Sequence, residues 1–370
     1  MNRRGFLAGA GLTAGAGIAS AFPKPAIAQD KTEWKMVTSW PKGMAGLGSG
    51  AERLADRIAN LSGGRLTVKV LSAGELVPAT QCLDAVSQGG ADMAHDFAHY
   101  HLDKAPAAGL FSAVPFGLAP DEFAGWIAFG GGQELWDELY GPFGVKPFLA
   151  GNTGVQMGGW LKKDIKSIKD VNGLRFAVSG YAARVLERLG GKPVNLPVGE
   201  IFNNLQSGNI DGAEWIGPYN DLSLGLYKVT KLYYWPGFQE PGCGIECLVN
   251  KRKYDALPDD LKQIVAAACA AEMSISQAEY SGRNPAALAT LVNEYKVQLK
   301  QYPRPVLAAF GKVSGEIMQE LYDKGDDTTR KIAGSYFKFR KQAMAWTRIS
   351  YAAYASARDA KFDFPTGGAS

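Results

Sequence analysis

Apolar and polar positions along the first 150 residues switch repeatedly between two periods. Short stretches alternate every second residue, as strands do, and longer stretches place apolar residues three or four apart, as helices do. In chain order the pattern predicts a strand at 33–40, a helix at 47–64, a strand at 65–71, a helix at 79–90, a strand at 91–97 and one or two helices at 120–141. This order indicates an α/β sheet domain.

A second series of strands and helices starts near residue 148. It comprises a glycine-rich strand at 148–161, a strand at 173–178, a helix at 180–191, a short strand at 193–196, a helix at 199–209, and apolar stretches at 231–237 and 244–250. Beyond Leu257-Pro258 the pattern is almost wholly helical to about residue 362. One apolar stripe there, formed by Tyr336, Phe339, Ala343 and Trp346, predicts either core packing or a dimer surface.

Two α/β units in series predict a two-lobed molecule with a cleft between the lobes. We expect residues 29–150, with part of 245–300, to form one lobe. The other lobe would contain residues 151–244, with part of 300–370 as C-terminal helices. Binding proteins and many enzymes share this shape, so the residues at the cleft have to decide the function.

The N-terminus has the features of an export signal. Arg3 and Arg4 precede a mildly apolar, Gly/Ala-rich stretch, and residues 26–28 (AIA) match a small-x-small cleavage site. Paired arginines before a weakly hydrophobic segment predict that residues 1–28 are a twin-arginine signal peptide. An ordinary secretory signal or an uncleaved anchor are the alternatives. In the first two cases we expect the mature protein to lie outside the cytoplasm.

The chain without this segment is close to electrically neutral. Residues 1–28 hold three of the 40 Lys and Arg residues and none of the 36 Asp and Glu residues. A neutral surface without a basic stripe argues against nucleic acid as a partner. No later apolar run approaches the ~20 residues of a membrane span, so we expect a soluble protein.

The cysteines raise the question of a disulfide, which export would permit. Cys243 and Cys247 are the nearest pair in the sequence. Four residues of strand span about 13 Å, whereas a disulfide needs Cα atoms within about 7 Å. We therefore expect both thiols to be free unless the chain turns at Gly242 or Gly244.

Several catalytic motifs are missing from the sequence. His95, His99 and His101 lie close together, but they lack the further ligands of a metal site, so we expect hydrogen-bonded imidazoles on the surface or at a cleft edge. The glycine run 130–133 lacks the Gly-Lys-Ser/Thr ending of a phosphate loop, and no Gly-x-Ser-x-Gly elbow occurs. A catalytic triad is not expected.

Stronger candidates are polar residues within glycine-bounded, aromatic-rich stretches. These are Gln156 in GNTGVQMGG, Glu214 and Trp215 in DGAEWIGP, and Glu240 in YYWPGFQEPG. Glycines permit close backbone approach and aromatic side chains supply apolar walls, as in a small-ligand pocket. If both glutamates enter one dry cleft, a hard cation such as Na⁺ or Ca²⁺ would relieve their repulsion. Alternatively, each glutamate caps a turn or pairs with a surface lysine.

Four motifs together carry a resemblance to a known family. AVPFGLAPDE, GGGQELWDELY, GNTGVQMGGW and GNIDGAEWIGPYND occur in this order. With them the chain resembles the DctP-type solute-binding proteins of tripartite ATP-independent periplasmic (TRAP) transporters, and most of all the branch that binds 2-oxo acids. The resemblance runs from about Trp34 to about Tyr354. It implies an α/β, two-lobed periplasmic binding protein fold with a helical C-terminal region, and no enzymatic activity.

The resemblance also implies a set of site residues. Gln156 and Glu214 would hold a metal cation, Na⁺ or Ca²⁺, through their side chains, and Trp215 through its backbone carbonyl. Glu240 would be an additional metal ligand or would accept a hydrogen bond from one of the ligands. The expected ligand-binding residues are Tyr100, Asn152, Gln156, Arg175, Glu214 and Trp215, of which Asn152 is the weakest match.

One position departs from the family pattern. Where the family usually has an arginine that binds the ligand carboxylate, this chain has Ala177, and Arg175 lies two residues earlier. In a strand these positions face the same side, about 6.6 Å apart. Arg175 therefore either reaches into the cleft with a different geometry or lies in solvent.

The resemblance implies a receptor that captures a small organic acid, either a 2-oxo or a 2-hydroxy acid, and delivers it to TRAP membrane permease subunits. A polyol or a larger, less charged ligand is the alternative within binding proteins. An exported metal-dependent lyase or hydrolase using Glu214 and the histidines is the rival enzyme. A sensor domain or a structural dimer is a third alternative, and relatives in this branch can form homodimers through a C-terminal helix.

Overall fold

The computed structural model describes residues 31–360, which form eleven strands and twelve α-helices. The predicted signal peptide lies outside the described residues. The strands are β1 (Thr32–Thr38), β2 (Leu66–Leu71), β3 (Met93–Asp96), β4 (Val145–Asn152), β5 (Gly159–Leu161), β6 (Arg175–Ala177), β7 (Lys192–Val194), β8 (Gly212–Ala213), β9 (Leu232–Trp235), β10 (Gly244–Asn250) and β11 (Gln298–Gln301). The helices are α1 (Leu47–Leu61), α2 (Cys82–Ser87), α3 (Pro120–Phe129), α4 (Gly132–Tyr140), α5 (Gly180–Arg188), α6 (Val198–Ser207), α7 (Pro218–Leu224), α8 (Lys251–Asp255), α9 (Asp259–Asn293), α10 (Arg304–Lys324), α11 (Asp327–Ile349) and α12 (Tyr351–Arg358).

Two separate sheets define the two lobes. The sheet of lobe 1 has the order β2-β1-β3-β10-β4, with β1, β2 and β3 parallel and β10 antiparallel to both of its neighbours. The sheet of lobe 2 has the order β11-β9-β5-β8-β6-β7 and is also mixed. The predicted alternation of strands and helices is confirmed in both halves of the chain.

The chain crosses between the two sheets after β4 and again before β10. The predicted glycine-rich strand 148–161 is wrong as a single element, because it is two strands, β4 and β5, in different sheets. Residues 153–158 connect them, and the segment after β9 runs back beside this connection, with the Gln156 amide donating to the Glu240 carbonyl. The cleft between the two lobes therefore lies at these two crossing segments.

Helices beyond Pro258 pack on both lobes. Helix α9 contacts β4 and α1 of lobe 1 and also α7, which follows β8 of lobe 2. Helix α10 packs on α5, whereas α11 packs on α3 and α4. The predicted all-helical region is interrupted by β11, which adds an edge strand to the sheet of lobe 2. None of the helices between residues 31 and 360 combines the length and apolar character of a membrane span.

The aromatic stripe of the C-terminal helices divides into a buried and an exposed part. Tyr336 is buried, and its hydroxyl accepts a hydrogen bond of 2.9 Å from the amide of Leu118. Trp346 is 62% exposed, and Ile349 and Tyr354 beyond it are exposed to a similar degree. Phe339 and Ala343 are half-buried and pack against the core, so core packing is confirmed for the first three residues of the stripe and not for Trp346.

All four cysteines are free and buried. Cys243 and Cys247 lie just before and within β10, so the extended backbone separates them, as the strand spacing predicted. The expected absence of a disulfide between these two residues is confirmed.

Candidate functional site

A small cavity of about 30 Å³ lies between the two lobes. Lobe 1 contributes the turn after β3, and lobe 2 contributes the ends of β6, β7 and β8 together with α6. The wall consists of Phe97, His99, Tyr100, Ala177, Val178, Ser179, Asn195, Leu196, Ile201, Glu214, Trp215 and Glu240. A wider chamber of about 250 Å³ shares five of these residues and adds Asp103 and Arg184, so it lies next to the cavity.

The GAEWIGP stretch positions Glu214 and Trp215 at the cavity. Gly212 and Ala213 form β8 in the centre of the lobe 2 sheet, and the Glu214 amide donates to the Ala177 carbonyl at 3.0 Å. The Ile216 carbonyl then accepts from the Met157 amide at 3.0 Å. The strand therefore ends with a carboxylate and an indole at the cleft, with backbone hydrogen bonds on both sides.

Gln156 and Glu240 meet where the two crossing segments run side by side. The Gln156 amide nitrogen Nε2 donates to Glu240 Oε2 at 2.9 Å and to Thr153 Oγ1 at 2.8 Å. Gly237 permits this approach, because a Cβ atom there would lie 2.2 Å from the Gln156 carbonyl oxygen. Since Nε2 is fully engaged, the side-chain oxygen of Gln156 is left for another partner.

Burial is the largest influence on the pKa of both glutamates. Burial, then the charge of Glu240 and that of Asp221, raise the pKa of Glu214 well above its usual range. Burial raises the pKa of Glu240 to about 7, although hydrogen bonds from Cys243 and Gln156 oppose the rise. Within residues 31–360, no Lys or Arg side chain lines the cavity to compensate these acids.

Several buried polar atoms in this region have no hydrogen-bond partner: the side-chain oxygens Gln156 Oε1, Glu214 Oε1 and Gln239 Oε1, and the indole Nε1 of Trp215. Buried polar atoms are normally paired, because an unpaired one costs about 1–3 kcal/mol. Amide and carboxylate oxygens are the ligands that Na⁺ and Ca²⁺ prefer. The donor set of Gln156, Glu214 and Glu240 therefore fits a hard cation.

The structure brings five of the predicted residues together around one cavity: Tyr100, Gln156, Glu214, Trp215 and Glu240. The two aromatic side chains supply wall, and burial raises the pKa of the Tyr100 phenol well above its usual range. Asn152 is buried behind them. Its Oδ1 accepts from the Gly154 amide at 2.9 Å, which shapes the turn before Gln156, and its Nδ2 has no partner.

Arg175 is not part of this cluster. Its guanidinium binds Asp211 through two contacts, Nη2–Oδ1 at 2.6 Å and Nε–Oδ2 at 3.0 Å, and 41% of its side chain is exposed. Of the two open alternatives for Arg175, the structure therefore has the solvent-facing one. Ala177, two residues later, lines the cavity and offers only a methyl group.

The three histidines are all buried and hydrogen-bonded, so the prediction of imidazoles on the surface or at a cleft edge is wrong for His95 and His101 and holds for His99, which lies at the cleft. His95 Nδ1 accepts from Trp40 Nε1 at 2.8 Å, and His99 Nδ1 lies 2.9 Å from Ser112 Oγ. His101 Nε2 lies 2.9 Å from Asp96 Oδ2. His99 is the one that lies at the cleft, and burial lowers its pKa to about 3, so it is uncharged there.

Sequence reasoning missed the cavity wall contributed by Ser179, Asn195 and Ile201, and it missed Asp221 behind Glu214. Asp221 is buried and accepts from Trp160 Nε1 at 2.9 Å and from the Tyr233 hydroxyl at 2.6 Å. The only available signal was an acid three residues after the Gly217-Pro218 pair, a pattern that is also common at helix starts.

The fold and this site agree with comparisons to known proteins. Residues 39–325 match the family model of DctP, the bacterial extracellular solute-binding proteins of family 7. The chain belongs to this family.

Three relatives show how closely the chain follows the family. A monocarboxylate 2-oxoacid-binding periplasmic protein of Nostoc is 39% identical over 321 residues, which is 87% of each chain. A TRAP periplasmic solute-binding protein of Colwellia psychrerythraea with bound calcium and pyruvate superposes with a TM-score of 0.86, at 35% identity, over 88% of this chain and 99% of that one. One of Pseudoalteromonas atlantica with bound sodium and pyruvate gives 0.85 at 34% identity, with the same coverage. The two-lobed fold predicted from the resemblance is confirmed.

Proposed function

We propose that this chain is the periplasmic receptor of a TRAP transporter and captures a small 2-oxo monocarboxylate together with a metal cation. The observation that carries the proposal is the pair of unpartnered buried oxygens, Gln156 Oε1 and Glu214 Oε1, beside a cavity between two lobes. The relatives with bound pyruvate and with calcium or sodium support the same pairing of acid and cation.

Each site residue has a role that follows from its position. Gln156, Glu214 and Glu240 provide oxygen ligands through their side chains, and Trp215 provides its backbone carbonyl. A bound cation supplies positive charge that cancels the acids and attracts the ligand carboxylate. Tyr100 and the Trp215 indole form the flat wall against which the ligand packs.

Closure of the lobes strengthens the electrostatic contacts between the site and its ligands. A pair of unit charges 4 Å apart is worth about 1 kcal/mol in water but about 4 kcal/mol at the effective dielectric constant of a protein interior. Glu214, Gln156 and Glu240 are all buried in the present conformation. Water exclusion by the two lobes therefore raises the contribution of each contact severalfold. Opening of the lobes would release the acid to the membrane permease.

The proposal includes binding without turnover and export by the twin-arginine route. His99, the imidazole at the cavity, lies 2.9 Å from Ser112 Oγ through its Nδ1, but burial lowers its pKa to about 3, so it is a weak general base at neutral pH. Arg3 and Arg4 support the export route. Mass spectrometry of the N-terminus from periplasmic extract tests removal of residues 1–28, and recovery of unchanged acid after incubation tests the lack of turnover.

The central test is isothermal titration calorimetry on the protein from Gln29 onward. Pyruvate and 2-oxobutyrate should bind in buffer containing calcium and sodium and should lose binding when both ions are removed. Glycerol and sorbitol serve as uncharged controls. Binding of the polyols alone, or equal acid binding without any cation, would overturn the proposal.

A further inference from the structure

A short junction lies between the cavity and the wider chamber beside it. It consists of the five residues that line both spaces: His99, Tyr100, Val178, Ser179 and Asn195. The first two belong to lobe 1 and the last three to lobe 2. Four of the five side chains carry a polar group and none is acidic or a Lys or Arg. The junction therefore offers hydrogen bonds rather than charge to a ligand that extends beyond the cavity.

His99 presents a hydrogen-bond acceptor to the junction. Its Nδ1 lies 2.9 Å from Ser112 Oγ, and Ser112 Oγ also donates to the Gly244 carbonyl at 3.2 Å. A hydroxyl has a single proton and a carbonyl can only accept, so this pattern assigns the imidazole proton to His99 Nδ1. Nε2, on the other side of the ring, is then an unprotonated nitrogen that can accept a hydrogen bond from a ligand.

Neighbouring groups hold the His99 ring in place. The ring stacks on Phe97 with centroids 5.0 Å apart, and Tyr100 meets it edge-on at 4.7 Å. Gly180, the first residue of α5, approaches it from lobe 2, since a Cβ atom there would lie 3.4 Å from His99 Cβ. The acceptor therefore has a fixed position, which specific recognition of a ligand requires.

Ser179 contributes a hydroxyl from the opposite lobe. It is the residue immediately before α5, a position where a serine side chain usually accepts a hydrogen bond from an amide of the first turn. Ser179 makes no such capping bond, so the start of α5 does not occupy its hydroxyl. Asn195 adds a side-chain amide to the same junction, and this group can both donate and accept.

From this arrangement we propose that the receptor prefers open-chain 2-oxo acids with a hydroxyl group on the second carbon beyond the oxo group. The proposal rests on the proposed function, because it concerns the side chain of the acid that the cation holds. An imidazole nitrogen of His99 lies within 4.8 Å of a Glu240 carboxylate oxygen. A chain of two carbons can cross that distance and bring its hydroxyl within hydrogen-bond reach of the junction.

A hydroxyl matches the junction better than the other common chain ends. It can donate to His99 Nε2 and at the same time accept from Ser179 or Asn195. A methyl group would leave these polar groups without partners, which lowers affinity. A carboxylate can only accept, so it would face the lone pair of His99 Nε2. The chamber beyond does not favour a carboxylate either, because the exposed side chains of Asp103 and Arg184 bring opposite charges to it.

The test compares three 2-oxo acids by isothermal titration calorimetry on the protein from Gln29 onward, with calcium and sodium present. The acids 4-hydroxy-2-oxobutyrate, 2-oxovalerate and 2-oxoglutarate differ only in whether the chain ends in a hydroxyl, a methyl or a carboxylate group. One net hydrogen bond changes affinity by about two- to tenfold. We expect the hydroxy acid to bind at least about fivefold more tightly than either of the others. Equal or tighter binding of 2-oxovalerate or 2-oxoglutarate would overturn the proposal.

Pyruvate separates this inference from the proposed function, because it lacks the carbon that would carry the hydroxyl. If pyruvate binds with a cation but the hydroxy acid has no advantage over 2-oxovalerate, the proposed function stands and the inference fails. If neither pyruvate nor any of the three longer acids binds, the proposed function fails and the inference fails with it.

Two variants test the groups to which we assign hydroxyl recognition. His99→Phe keeps a ring that can stack on Phe97 but removes the acceptor, and Ser179→Ala removes the hydroxyl of the junction. Each should weaken binding of the hydroxy acid at least about threefold and leave the affinity for 2-oxovalerate within about twofold. Equal losses for both acids would mean that the residue has only a structural role, and this result would contradict the assignment.

Thr80→Val provides the matched control. Thr80 is exposed and lines the chamber but not the junction, so loss of its hydroxyl should change neither affinity. His99→Phe also loses the hydrogen bond to Ser112 and could fail to fold. In that case Ser179→Ala decides, because Ser179 is only half-buried and caps no amide. An unchanged preference for the hydroxy acid in Ser179→Ala would then overturn the proposal.

Discussion

Replacing Glu214 with glutamine should raise the stability of the cation-free protein and abolish most of its ligand affinity. Glu214 is buried, its Oε1 has no hydrogen-bond partner, and Glu240 and Asp221 repel its charge. Glutamine has the same shape without the charge. We therefore expect Glu214 to destabilise the empty protein and to stabilise the complex. This combination is typical of an acid whose role is binding.

The expected magnitudes follow from burial and charge. Relief of an unsatisfied buried carboxylate is worth about 1–3 kcal/mol, so the cation-free variant should melt a few degrees higher. A unit positive charge about 2.4 Å from a carboxylate oxygen is worth about 7 kcal/mol at an effective dielectric constant of 20. Part of this is offset by carboxylate desolvation and part is retained by the amide oxygen. We therefore expect a net loss of about 3–4 kcal/mol, or several hundredfold in affinity.

Asp221→Asn provides the matched control, because Asp221 is an equally buried acid in the same lobe. Its carboxylate accepts from Trp160, Tyr233 and the Ile216 amide. An amide nitrogen in place of one oxygen would face donors, so this variant should be destabilised by about 2–3 kcal/mol. The two substitutions remove the same charge from neighbouring positions and should change stability in opposite directions.

Thermal unfolding in chelator at pH 8 and calorimetry with pyruvate measure the two effects. The pH is set above the raised pKa of Glu240, about 7, so that this acid is mostly ionised and its repulsion of Glu214 is present. If Glu214→Gln lowers the melting temperature as Asp221→Asn does, and pyruvate affinity stays unchanged, Glu214 is a structural acid and the proposed cation site is wrong.

Three further substitutions probe other parts of the molecule. Burial and the charge of Asp96 raise the pKa of Glu246 to about 8, so the unfolding free energy should fall as the pH rises from about 4.5 to 8. Urea unfolding of Glu246→Gln should show a smaller fall over this range. An unchanged fall would mean that another group causes the pH dependence. Arg175→Met should change pyruvate affinity less than about twofold and leave the melting temperature nearly unchanged, because this ion pair is exposed. A large loss of affinity in calorimetry would restore Arg175 to the site. Gly237→Ala should lower the unfolding free energy in urea by about 1–3 kcal/mol and weaken pyruvate binding, because its Cβ would lie 2.2 Å from the Gln156 carbonyl oxygen. Wild-type stability and affinity would show that the two crossing segments can move apart to accept the methyl group.

Local sequence pattern was enough to predict several of the strands and helices around the site, but not β8, which ends beside Glu214, or α7, which follows it. The alternation of 33–40 and the helical spacing of 47–64 correspond to β1 and α1 within two or three residues at each end. The single strand predicted at 148–161 failed, because nothing local to the sequence tells which sheet a strand joins. That break between β4 and β5 is a tertiary feature, and it is the feature that carries Gln156 to the cleft.

The candidate site could be predicted only where side-chain chemistry and glycine content coincide. Glu214 and Glu240 stand in glycine-bounded aromatic stretches, and the structure brings them to one cavity. The orientation of Arg175 could not be predicted, because it depends on Asp211, a partner 36 residues away in the sequence. His99 reaches the wall through a short 3₁₀ turn after β3 that the pattern did not indicate.

The buried acids of this protein differ in whether a positively charged side chain pairs with them. This difference indicates which of them bind a ligand. Asp96 and Glu246 lie opposite each other on β3 and β10 and share the imidazole of His101. Burial lowers the pKa of His101, but these two acids outweigh it and raise the pKa to about 10, so the imidazole is charged at neutral pH. With one further proton on Glu246 that cluster is neutral by itself. No cationic side chain among the described residues lines the cavity of Glu214 and Glu240, so these acids, once ionised, need a cation that enters through the cleft.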